Sequence, residues 1–193
     1  MSKPTVFHLE GNARKFSLGG NGTISRYTMA ISCYDLMIGS LETFYPKNLV
    51  YGNGIEPKFH EVNPRVPFFK KGVLQNNVVT RAIWDTLESS PDSMIQNNLG
   101  IIINAKKVTL QKKADTVSSV TIELTDESKH GIFNGAHTYA TIRDYYLTAL
   151  KAETETKEEM INKLKLASVW MYIDEGYEDT NLIADKSEGL SQR

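Results

Sequence analysis

The chain has 193 residues, 40% of them hydrophobic and 23% charged, a size that suits one domain and a composition that excludes disordered and membrane-embedded classes. Twenty-two Lys and Arg stand against 23 Asp and Glu, a net charge of −1 that lacks the basic surplus of a dedicated nucleic-acid coat protein. The single cysteine, Cys33, excludes an internal disulfide and a cysteine-built zinc cage.

In chain order, Val6 to Leu9 reads as a strand, Leu18 to Gly22 as a glycine-rich turn, and Ile24 to Met37 as a second strand rich in β-formers. Cys33 falls within that run and is expected to be a buried, inert strand residue. Tyr45 to Lys71 is dense in Pro, Gly and Asn, with Asn63-Pro64-Arg65-Val66-Pro67 at its centre, and reads as a long irregular loop. Asn77 caps a helix running to Ser89, with Val79, Ala82, Ile83 and Leu87 assigned to its inner face and Arg81, Asp85 and Glu88 to its outer one. Ser90-Pro91-Asp92 opens a short helix through Gln96, and Asn97-Asn98-Leu99-Gly100 ends it.

Two strands follow between Gly100 and Leu110, a central one through Ile101-Ile102-Ile103 and a half-exposed one through Val108 and Leu110. Val120, Ile122 and Leu124 alternate with polar residues as another half-buried strand. Ile132 and Phe133 make a short strand that ends at Asn134-Gly135. The helix after it carries Ile142, Tyr145, Tyr146, Ala149 and Leu150 on one stripe. Tyr139, Tyr145 and Tyr146 are read as core residues at helical spacing, in preference to a base-stacking platform. Beyond the polar stretch Glu153 to Glu159, a helix turns Met160, Ile161 and Leu164 inward. The run Ala167 to Ile173 then reads as a strand buried on both faces, and about 179 to 188 as a short helix. The whole is an α/β (α+β) domain over 1–193, with a mixed sheet flanked by helices, N-terminal strands and a loop over 1–62, and a core over 63–193. No apolar run approaches the roughly 18 residues a bilayer crossing needs, and Met1 to Gly11 has no signal-peptide layout, so a cytoplasmic location is expected.

The chemistry concentrates where that short strand meets its helix. A helix starting near His137 leaves backbone N–H groups unpaired at its positive end, a ready anion site. Gly135 can take positive φ and admit a ligand to the backbone, Thr138 offers a hydroxyl, and His137 a hydrogen bond or a charge near neutral pH. Asn134 and Ala136 complete the turn. A plainer reading stands beside this one: a common Asn-Gly turn, a capping Thr138 and a surface His137. His8, His60 and His130 show no metal-ligand spacing, so no protein-built metal centre is expected.

His130-Gly131-Ile132-Phe133-Asn134-Gly135-Ala136-His137-Thr138 resembles the "I-x-N/D-G-x-Q/H-T" signature of abortive-infection phage-resistance (AIPR) proteins. Three further blocks agree in order: Asn63-Pro64-Arg65 with that family's "N-x-R", Val79 to Pro91 with its "I-x-x-T-L-x-x-x-P" helix, and Asn97 to Ala105 with its "N-N-G-I-x-I-x-A" strand. Leu99 interrupts the Asn-Asn-Gly, and His137 stands where glutamine is commoner. AIPR proteins are usually several hundred residues long, so the chain resembles an N-terminal portion of one or a truncated homologue. The family is in turn similar to the ParB and sulfiredoxin superfamily, whose equivalent turn contacts nucleotide phosphates. This implies a ParB-like core with an N-terminal β extension, and a nucleotide, with Mg as a companion ion, as the ligand.

The resemblance implies a phosphate or nucleotide site at Asn134, Gly135, Ala136, His137 and Thr138, with Asn63, Asn98 and Gly100 lining it and Arg65 and Arg81 supplying charge. If the protein is an enzyme, nucleotide hydrolysis or phosphotransfer is the expected class and His137 the nearest acid or base. Two alternatives are carried: a DNA-binding or DNA-cleaving defence protein, and a non-enzymatic module whose loop Tyr45 to Lys71 meets a defence partner protein or a second copy of the chain.

Overall fold

A computed structural model describes residues 4–18, 24–45, 50–51, 54–55, 57–59, 62–63, 67, 69–70, 73–113 and 116–177. The expected turn at 19–22, Arg65, His60 and the expected helix near 179–188 lie outside the described residues.

Two sheets and a helical layer make an α+β architecture. The first sheet is antiparallel, in the order β1 (Thr5–Glu10), β10 (Thr116–Leu124), β9 (Lys107–Lys113). Its alternation has the physical consequence expected of period two. Phe7 and Leu9 stand opposite Ile122 and Val120 and all four are buried, while His8 and Thr121 share a hydrogen bond of 2.8 Å on the other face.

The second sheet is mixed, in the order β11 (Gly131–Asn134), β8 (Ile101–Ala105), β12 (Ser168–Glu175), β3 (Ile24–Ser32), β2 (Arg14–Leu18). Only β8 and β12 run parallel. Ile101, Ile103, Met171, Ile173, Met29 and Ile31 share one buried face. Full burial of side chains this size contributes about 1.5–3 kcal/mol each. On the opposite face Val62, Ile102 and Phe133 form a small cluster with Tyr172 and Tyr177. Nearby, Arg26 grips Asp174 through two bonds of 2.7 Å, which raises the guanidinium pKa above its ordinary value. β12 therefore departs from the expected two-sided burial: Trp170 is 38% exposed and Tyr172 half-buried, because only one face of the sheet carries the helical layer.

That layer comprises α1 (Cys33–Phe44), α2 (Val78–Ser89), α4 (Ala136–Lys151) and α5 (Thr154–Leu166), with the short α3 (Met94–Asn97) following a 3-10 turn at Pro91–Ser93. α4 packs against α1, α2 and α5, and Tyr139, Tyr145 and Tyr146 on it are core residues, as expected. Leu150 instead is 43% exposed. α2 starts at Asn77, whose side chain accepts from the Thr80 amide while the Thr80 hydroxyl accepts from the Asn77 amide, both at 2.9 Å. Its buried stripe is Thr80, Ile83 and Leu87. Val79 and Ala82, expected inside, are exposed, because the buried stripe is narrow and follows the i, i+3, i+7 positions Thr80, Ile83 and Leu87.

α1 corrects the expectation of a strand as far as Met37. The Ser32 hydroxyl accepts from the Asp35 amide at 3.0 Å and ends β3, and Cys33 is a buried residue of the first helical turn. A further strand, β2, lies between the two expected at the N-terminus. The segment expected to be irregular holds the two-residue strands β4 (Val50–Tyr51), β5 (Gly54–Ile55) and β6 (Phe69–Lys70), with β7 (Val73–Leu74) pairing to β6.

Candidate functional site

β11 and β8 run antiparallel, with Ile132 opposite Ile103 and Asn134 opposite Ile102. That register places the end of β11 beside the beginning of β8, so Asn134-Gly135 and Asn98-Leu99-Gly100 become neighbours. Gly135 is the N-cap of α4 with φ 84° and ψ 17°, in the left-handed region. A Cβ there would lie 2.5 Å from the Gly100 carbonyl oxygen and 3.0 Å from the Ile101 Cα. Glycine is thus required twice over, by dihedral and by space. Gly100, at φ 87°, is constrained from its other side by the Trp170 carbonyl oxygen, 2.6 Å from where its Cβ would be.

The two segments are clipped through side chains. Asn98 Nδ2 donates to Thr138 Oγ1 at 3.0 Å, and the Gly100 amide donates to Asn98 Oδ1 at 2.9 Å. The first helical bond of α4 runs from the Tyr139 amide to the Gly135 carbonyl at 2.9 Å. The amides of Ala136, His137 and Thr138 therefore stand outside the helical ladder. Its N-cap, Gly135, has no side chain with which to bond these amides, and its first turn holds no acidic residue, so the helix itself supplies no charge against the positive end of its dipole.

The remaining expected residues distribute unevenly. Ala136 and Thr138 are buried, whereas Asn134, Gly135, His137 and Asn98 are half-exposed and form the outer lip of the turn. Asn63 is buried next to Val62, which packs on Ile102 and Phe133 from the far face of the sheet. Arg81 sits on the exposed face of α2, and Arg65 lies outside the described residues.

A model of the AIPR protein family matches residues 60–183, well over half of the chain. The chain belongs to the AIPR family. No curated protein and no solved structure matches it. Membership supports abortive-infection phage defence as the setting in which this AIPR chain works. The matched stretch includes β8, β11, α4 and β12. β3 lies before it, yet pairs with β12 along eight consecutive residues. The AIPR core thus shares its sheet with N-terminal strands that the family match does not cover. No helix among the described residues is long and apolar enough to cross a membrane.

One residue of α4 with chemical potential was not singled out from sequence. Arg143 is only 4% exposed. Its guanidinium carbon lies 4.5 Å from the centroid of the Tyr45 ring and 5.7 Å from that of Phe69, and burial lowers its pKa from the ordinary value. None of the ion pairs of the described residues includes it, and its Nε has no hydrogen-bond partner among them. Desolvating a cation costs several kcal/mol, whereas a cation–π contact contributes about 0.5–2 kcal/mol, so the two rings do not offset the burial. The signal was present in the sequence as spacing: Arg143 falls on the same helical stripe as Ala136, Tyr139 and Tyr146, a charge on an otherwise apolar face.

Proposed function

We propose that this AIPR chain serves phage defence by holding a phosphate-bearing ligand, a nucleotide in the first instance, at the entrance of α4. The observation that carries the reading is Gly135, a left-handed N-cap locked under Gly100 that itself has no side chain to cap the first turn. In this reading the backbone N–H groups of Ala136, His137 and Thr138 receive the anion, and half-exposed His137 adds a side-chain contact at the lip. Asn98 acts through Thr138, holding the turn in shape without touching the ligand. The anion is stabilised by fixed dipoles that need no reorganisation when it arrives.

Asn98→Asp tests the reading without threatening the fold. An aspartate keeps an acceptor for the Gly100 amide and for the Thr138 hydroxyl, and a negative charge near a helix N-terminus is favourable to the helix. It also places a like charge beside the proposed anion. Calorimetric titration with nucleoside mono-, di- and triphosphates should give saturable binding to the wild type and affinity on the order of tenfold weaker in Asn98→Asp, with thermal stability preserved. Equal affinities in the two proteins, or none in the wild type, would remove the α4 entrance as the site.

A further inference from the structure

Arg143 lies seven residues beyond Ala136 on α4, close to two turns, and so roughly 10 Å further along the same face of the helix. It belongs to a different environment from the entrance. Its flat face is covered by Tyr45, at the end of α1, and by Phe69 of β6. Tyr45 is itself held in place, stacked on Tyr139 at 5.8 Å with the planes 7° apart and meeting Phe69 edge-on at 5.9 Å. Tyr139 is fixed in turn by a 2.8 Å bond to Ser40, whose own hydroxyl hydrogen goes to the Leu36 carbonyl at 2.6 Å. The cation is thus held against an aromatic frame on one side; Asp144, the next residue in the helix, acts on it electrostatically, but none of the ion pairs of the described residues joins the two.

A guanidinium stacked in this way still has its N–H edge to offer, and that edge is a planar fork of donors matched to two oxygens of one anion. We infer that Arg143 is the receptor of a second site, one that takes a small oxyanion, the carboxylate or phosphate group of a ligand, beside Tyr45 and Phe69. Burial strengthens the attraction, because water competes poorly there. The frame fixes the fork before the anion arrives, which lowers the ordering cost of binding. Nothing in this inference depends on the α4 entrance.

The test is a titration of the wild-type protein with inorganic phosphate and, separately, with acetate, followed through the Nε–Hε resonance of Arg143 in nitrogen-proton correlation spectra and through thermal unfolding. Either anion should move that resonance saturably and raise the melting temperature, and the one that does so identifies the oxyanion class. Arg143→Met, an apolar replacement that suits a buried position, should lose the part of the thermal shift that accompanies movement of the Arg143 resonance while remaining folded by circular dichroism. Arg143→Lys, which keeps the charge and loses the fork, should bind on the order of tenfold more weakly. If neither anion moves the resonance, or if Arg143→Met keeps the full thermal response, the second site does not exist. Movement of the Ala136 to Thr138 amides with a still Arg143 resonance would sink this inference and leave the entrance standing, and the reverse pattern would do the opposite.

Discussion

Asn98 and Thr138 are forty positions apart in the chain and meet side chain to side chain at 3.0 Å, joining the approach to β8 to the first turn of α4. Asn98 also accepts from the Gly100 amide, so one residue shapes its own turn and clamps the helix entrance. Asn98→Ala should cost about 1–2 kcal/mol, the usual range when a part-buried donor and acceptor lose their partner. In a double-mutant cycle with Thr138→Val, denaturant unfolding should give a coupling of about 0.5–1.5 kcal/mol. Strict additivity would mean that the clip contributes nothing.

Gly135→Ala should be more damaging than its size suggests. The left-handed dihedral costs an L-residue about 1–2 kcal/mol, and a methyl 2.5 Å from the Gly100 oxygen forces the β8 and α4 segments apart. The expected loss is at least about 2 kcal/mol by chemical denaturation. An unchanged midpoint would show that the close approach of the two glycines is not a constraint on the fold.

Alkaline pH should unfold the protein through its tyrosines. Burial, reinforced by the bond to Glu175, pushes Tyr27 up to about 12. Burial likewise raises Tyr45, Tyr139 and Tyr145 above the ordinary phenol value. Each of these groups binds its proton more tightly folded than unfolded, where the value is about 10. The stability they contribute is fully present below about pH 10 and is lost as pH rises through the folded values. Absorbance at 295 nm should show four of the nine tyrosines ionising late and together with the loss of far-ultraviolet dichroism. Smooth titration of all nine near 10, with the fold intact, would contradict this.

Cys33 should be chemically silent in the native state. It is fully buried, and desolvation drives its thiol well above the ordinary range. Iodoacetamide should label it only after denaturation. Native labelling at the rate of a free thiol would place it elsewhere than inside the first turn of α1.

The legible parts of the chain were those whose signals are local. Asn77 and Thr80 announced α2, and the alternation of Val120, Ile122 and Leu124 announced β10. The strand-turn-helix at 131–138 was readable because Asn134-Gly135 interrupts two clear periodicities. The errors came where tertiary context overrides local preference. β-formers run on past Ser32, so the strand reading carried through to Met37, although Ser32 followed by Asp35 three residues later is a helix-start signal that ends β3. The apolar run at β12 hid its exposure, since Trp170 and Tyr172 lie on the face without helices. At the candidate site, the turn residues were visible but the Asn98–Thr138 clip was not, because it depends on the register between β11 and β8. For Arg143 the helical spacing shows a charge on an apolar stripe, but its aromatic surroundings come from Tyr45 and Phe69, which reach it from distant parts of the chain.

The claim on which the functional reading turns is that the first-turn amides of α4 receive an anion. A nitrogen-proton correlation titration of the wild-type protein with a nucleoside triphosphate observes those amides one by one. Saturable shifts concentrated at Ala136, His137 and Thr138, and weakened by Asn98→Asp, are the expected result. Amides at these three positions that stay still at millimolar ligand, while the rest of the spectrum is that of a folded protein, would contradict it.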